Sequence, residues 1–170
     1  MTVENGWAAA LASLAVGLAF FALWFWLLPA WLGFSVDMAG AARWRWLAAI
    51  PSVLGFAVAL RCVWDFGWTG RGTPAPVAPP KRLVVVGFYR YVRNPMYVAV
   101  VGLIAGQALL LGNRTLLFYG MVVWLCFHAF VLFYEEPVLR KKYAAVYEEF
   151  CQNVPRWIPR LSAWNGSRPK

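Results

Sequence analysis

Residues 7–28, WAAALASLAVGLAFFALWFWLL, carry no charged side chain and stop at Pro29. A run of this length, at 1.5 Å of rise per helical residue, crosses a hydrocarbon core of about 30 Å. It predicts a spanning helix rather than a cleaved signal peptide, because the residues before it include Glu4 and no Lys or Arg. The composition agrees: 62% of the 170 residues are hydrophobic and only 14% charged, too apolar for an ordinary soluble domain. The sequence reads as an all-α, polytopic membrane helix bundle.

Outward from this stretch, a shorter apolar run from Trp46 to Leu60 predicts a second span. Arg45 and Arg61 would snorkel at its ends, with Trp44 and Trp64 at the headgroups. Residues 70–80, GRGTPAPVAPP, hold too much Pro and Gly for a helix and read as an extended surface connection. A third span runs from Pro95 to Leu111, Gly112 to Thr115 reverses the chain, and a fourth runs from Leu116 to Tyr134. The bundle therefore has about four transmembrane helices, the last two an antiparallel hairpin. Past Pro137, Leu139, Tyr143, Val146, Tyr147 and Phe150 share one helical face. That is a C-terminal amphipathic cytoplasmic helix, lying on the membrane surface or covering the mouth of the bundle. Residues 1–69 thus form an N-terminal helix pair, 70–80 a connection, 81–160 a second region and 161–170 a loose tail.

Of the 16 Lys and Arg, 13 fall before the first span, between spans two and three, or after the fourth. Four crossings put those segments on one side, and the positive-inside tendency makes that side cytoplasmic. Both termini are then cytoplasmic in a multi-pass integral membrane protein. The net charge of +9 does not point to nucleic acid, since the basic residues punctuate apolar runs instead of clustering on a polar domain. Cys62, Cys126 and Cys151 are far apart, with no CxxC pair, and signal neither disulfides nor a metal site.

Two polar constellations remain. Around Gly87-Phe88-Tyr89-Arg90-Tyr91-Val92-Arg93-Asn94-Pro95-Met96-Tyr97, Asn94 is a favoured N-cap and Pro95 a favoured first helical residue. A helix start flanked by Arg90 and Arg93 suits an anion, or else is only a capped helix with headgroup-binding arginines. Glu135 and Glu136 stand at the C-terminal end of the fourth span, where the helix dipole disfavours carboxylates. They either pair with Arg90, Arg93 or Arg140, or await a cationic or hydroxyl-rich ligand. The hairpin brings both constellations to one membrane face, forming a pocket suited to a small zwitterion and open to lipid. His128, inside the fourth span, reads as a buried, hydrogen-bonded histidine.

These residues resemble the isoprenylcysteine carboxyl methyltransferases and related phospholipid methyltransferases. The likeness lies in the Gly-x-Tyr-x-x-x-Arg-(His)-Pro-x-Tyr block from Gly87 to Tyr97. It continues in Glu135 and Glu136, followed by Leu139, Tyr143, Tyr147, Phe150, Val154 and Pro155. It covers residues 81–160 and implies an S-adenosylmethionine-binding catalytic region, with methyl transfer to a lipophilic acceptor arriving from the membrane. By the same resemblance Gly87, Tyr89, Arg93, Asn94, Pro95, Tyr97, Glu135 and Glu136 are cofactor contacts. Glu135, Glu136 and Arg156 are the catalytic candidates.

Two positions depart from the family pattern. Asn94 stands where the family has His and does not titrate near neutral pH. Asn153 stands where eukaryotic members place a basic residue, with Arg156 the nearest substitute. The acceptor is left as an isoprenylcysteine-type carboxylate, a phospholipid amine or a small thiol. A four-helix membrane transporter and a non-catalytic lipid-organising protein are the alternatives. The first would ordinarily use a carboxylate inside a span, and spans one to three, as bounded above, hold none.

Overall fold

The structure is a computed structural model that describes residues 4–31, 47, 49–70 and 83–166. Among them every regular element is helical. Helix α1 (Glu4–Phe21) continues through a π turn, Ala22–Leu27, into α2 (Leu28–Trp31), so the helical path runs past Pro29 instead of stopping there. Helix α3 (Ala49–Asp65) continues as a π turn, Phe66–Gly70. This corrects the expected end of the second span: Arg61 lies inside the helix, and Asp65 with it. Arg45, Trp44 and residues 71–80 of the expected connection lie outside the described residues.

A short 3-10 helix, Gly87–Arg90, leads into α4 (Pro95–Leu111). The predicted reversal follows. Gly112 closes α4 in the left-handed region at φ 65°, the usual end of a helix. Asn113 then caps α5 (Arg114–Phe130), its side chain accepting from the Leu116 N–H at 3.1 Å. A π turn, Val131–Glu135, joins α5 directly to α6 (Glu136–Asn153), with Pro137 in the first turn of α6. Proline lacks the N–H that the regular ladder would use at this point. The expected fourth span and the C-terminal helix are thus one helical path. Within α6 the backbone breaks at Ala144 (φ 44°). Of the expected apolar face, Tyr147 and Phe150 are buried and Val146 is exposed.

Helices α3, α4 and α5 build the main core around Cys62, Val63, Val100, Ile104, Leu116 and Val123. The α3 and α4 backbones approach closely at Gly55, where an added Cβ would lie 2.9 Å from the Ala99 carbonyl oxygen; small residues set such close packing between apolar helices. The outer faces are apolar as well: Val53, Leu54, Phe56, Phe118, Met121 and Leu125 are exposed, the distribution expected against lipid. Ala49–Thr69 and Arg114–Asn153 are long and apolar enough to cross a membrane, and Pro95–Leu111 is a shorter apolar helix.

Candidate functional site

The hairpin does what its turn predicts: the start of α4 meets the end of α5. Tyr97, in the first turn of α4, donates its hydroxyl to Glu135 Oε2 at 3.0 Å. Its ring stacks on Phe127 of α5 at 4.7 Å, and Phe20 of α1 stacks on Phe127 at 5.9 Å. Glu135 therefore faces an aromatic wall. Among the described residues no Lys or Arg pairs with it.

Glu136 differs. It is 2% exposed, and three guanidinium groups surround its carboxylate. Arg156 grips it bidentately, Nε to Oε1 at 2.7 Å and Nη2 to Oε2 at 3.0 Å. Arg93 Nη1 donates to Oε1 at 3.1 Å, and Arg140 Nη1 lies 3.6 Å from Oε2. Arg93 Nη1 also donates to Cys151 Sγ at 2.7 Å. A buried carboxylate requires such compensation, so the pairing of this acid with Arg93 and Arg140 expected as one alternative is present for Glu136. Among the described residues it is absent for Glu135. Arg90 takes no part; its Nε donates to the Trp164 carbonyl.

Asn94 does not cap α4. Its side chain makes no capping bond, and its amide donates to the Arg156 carbonyl at 3.2 Å. The C-terminal segment competes successfully for that side chain, leaving the first turn of α4 without a side-chain cap. The same segment runs along the motif. Arg93 N–H donates to Pro155 O, Arg160 N–H to Tyr91 O and Trp164 N–H to Arg90 O, at 2.9, 3.0 and 3.0 Å. Residues 161–164, read from the sequence as loose, are tied down by that last bond and by Trp164 packing on Phe150. Arg156 and Trp157 belong to the same segment: Trp157 Nε1 donates to His128 Nδ1 at 2.9 Å, so His128 is hydrogen-bonded as expected but half-buried, where a buried histidine was expected.

The wall that sequence reading missed comes from α3. Cys62, Asp65 and Phe66 share one helical face. Phe66 packs edge-on against Tyr89 at 5.4 Å, and the Cys62 thiol lies beside the Tyr89 side chain. Burial pushes the Tyr89 phenol well above its ordinary pKa, so it stays neutral. Asp65, 4% exposed, accepts from Arg61 Nε at 3.1 and 3.2 Å. The helix of the expected second span thus carries a carboxylate, beyond the end expected for it at Leu60. The available signal was the i,i+4 spacing of Arg61 and Asp65, which lets a charged pair remain within an apolar helix.

A small zwitterionic ligand would find two matching features here. Glu135 offers a carboxylate to a cation beside aromatic rings, which also attract cations. Arg93 Nε is a buried donor with no hydrogen-bond partner among the described residues, suited to an anionic oxygen. On the outer side of the hairpin, a groove of about 250 Å³ is lined by Val101, Ala105, Leu117, Gly120, Met121 and Trp124.

The model of the phospholipid methyltransferase family matches residues 44–146, more than half of the chain, and the chain belongs to that family. The matched region includes α3 as well as the hairpin. The chain is thus a membrane-associated protein of a methyltransferase family. No curated protein and no solved structure matches it.

Proposed function

We propose that this family member is an integral membrane, S-adenosylmethionine-dependent methyltransferase that moves a methyl group to a lipophilic acceptor. In this reading four helices cross the bilayer, with the site and both termini on the cytoplasmic side. The observation that carries the proposal is the unequal fate of the two glutamates. Three arginines satisfy Glu136, whereas among the described residues Glu135 pairs with no cation and accepts from the Tyr97 phenol. A carboxylate without a cation among the described residues favours a cationic ligand, and Arg93 Nε–H, unpartnered among the same residues, suits a carboxylate on that ligand.

When bound, the cofactor would supply an electrophilic methyl group. The chain's own work is then alignment and exclusion of water. Tyr97 orients Glu135 through its hydroxyl. Glu136 fixes Arg93 and Arg156, and through Arg156 the segment that lies along the motif. A carboxylate or thiolate acceptor needs no base. An amine acceptor must lose a proton, and Glu135 is the group to take it, since Glu136 is committed to its arginines. Arg156 accordingly acts by positioning rather than by touching the reacting atoms. Gly87, Tyr89, Asn94 and Pro95 shape the wall around the ligand, and the apolar groove on the hairpin suits the acceptor's chain.

Calorimetry on the detergent-purified protein should detect S-adenosylmethionine binding, lost in Glu135→Ala and Tyr97→Ala. Absence of binding at millimolar cofactor would overturn the proposal. Membranes incubated with methyl-labelled cofactor, then separated into lipids, small thiols and proteins, identify the acceptor. Asp65 lends the transporter alternative its one supporting feature, and proteoliposome uptake dependent on a proton gradient would favour it.

A further inference from the structure

One buried charge remains without a task. Asp65 belongs to an apolar helix, and an ionisable group in such a place is expensive unless the fold uses it. Its partner does not explain it. Arg61 has a side chain 58% exposed, whereas that of Asp65 is 5% exposed. An ion pair serving α3 alone would sit wholly at the surface, so the guanidinium reaches inward to a carboxylate that the fold holds inside.

What the carboxylate touches is Gly87. This residue, the first of the motif, has φ 54°, a left-handed conformation open to glycine. A Cβ there would collide with the Asp65 carboxylate. Two residues on, Tyr89 is buried beside Cys62, about one helical turn before Asp65, and Phe66, the residue that follows it. The face of α3 therefore contacts the motif at both of its leading residues, and the turn between them is closed by Tyr89 N–H donating to Val86 O at 3.1 Å.

We infer that Asp65 is a positioning residue of the site: its carboxylate, neutralised by Arg61, seats the Gly87 turn and so sets where the Gly87–Tyr97 segment stands. The inference rests on reading that segment as the cofactor wall. It also gives Gly87 two requirements, a left-handed backbone and room for a carboxylate.

The test uses the full-length protein in detergent, with cofactor affinity by calorimetry and amide hydrogen exchange across residues 86–93. Asp65→Asn, which keeps the shape, and Asp65→Ala should each weaken S-adenosylmethionine binding by about tenfold, roughly 1.4 kcal/mol. Exchange should accelerate across residues 86–93 and stay unchanged in α5. Gly87→Ala should also weaken binding, and by severalfold less when made in the Asp65→Ala background, because the collision is then gone. Unchanged affinity and exchange in both Asp65 variants would overturn the inference, as would equal losses from Gly87→Ala in the two backgrounds. Exchange accelerating everywhere would also overturn it, since that marks a general structural role. If the wild-type protein binds no cofactor, the functional reading falls, and the exchange pattern alone still decides whether Asp65 seats the turn.

Discussion

Glu135 and Glu136 are adjacent in the chain, yet their surroundings are opposite. On the Glu136 side, α6, the residues before α4 and the C-terminal segment converge through Arg93, Arg140 and Arg156 on one carboxylate that is nearly inaccessible. On the Glu135 side, α4, α5 and α1 contribute Tyr97, Phe127 and Phe20, and among the described residues no cation pairs with the carboxylate. The first region is electrostatically closed and the second is open to a positive ligand. Replacements on the Glu136 side should register as stability, and those on the Glu135 side as binding and rate.

The sharpest test of that division is Glu136→Ala. It leaves Arg93, whose side chain is 10% exposed, without its anion; breaking a buried pair by removing one partner costs about 3–5 kcal/mol. Thermal unfolding in detergent should show a large drop in midpoint, together with faster proteolysis of residues 154–166. A midpoint like that of the wild type, with activity lost, would erase the distinction between the two acids.

Glu135→Gln should show the converse. The amide keeps the shape and can still accept from Tyr97, so the unfolding midpoint should hold or rise as a half-buried charge disappears. Methyl transfer, measured as kcat/KM with labelled cofactor, should fall by about a hundredfold, the scale of one positioned group in a site and about 2.7 kcal/mol. Tyr97→Phe is a milder version. It removes one hydrogen bond to a charged acceptor, for a loss of about 1.5 kcal/mol or roughly tenfold in the same measurement.

This contrast was only partly legible in the sequence. The hairpin was, because Gly112 and Asn113 mark the end of one helix and the start of the next by local chemistry alone. The meeting of Tyr97 with the acidic pair followed from it. Which glutamate would be closed and which open was not legible, since both stand at the same helix end and the choice is made by Arg156, twenty residues further on. Asn94 illustrates the same limit: as a local cap it suits α4, but a carbonyl from a distant segment takes its amide. The end of α3 was misjudged for an opposite reason. Arg61 suggested a snorkelling terminus, whereas Asp65, one helical turn later, neutralises it and lets the helix continue. Periodicity locates helices well; ion pairing between distant segments decides what their ends do.

The smallest expected effect tests how the closed region is fastened to the hairpin. Trp157 follows Arg156, and its indole N–H donates to His128 Nδ1 at 2.9 Å, with Trp124 stacked on the imidazole at 5.2 Å. Trp157→Phe keeps an aromatic ring and removes that donor, which should lower stability by about 1 kcal/mol or less. Arg156 should remain on Glu136, because its three short bonds to that carboxylate and the Asn94 amide do not depend on the indole. Cofactor affinity should then change by less than about threefold, well under 1 kcal/mol, with a small fall in midpoint. A loss of affinity of about a hundredfold, roughly 2.7 kcal/mol, would mean that the two regions are coupled through His128, and that the arginine cluster alone does not hold the C-terminal segment along the motif.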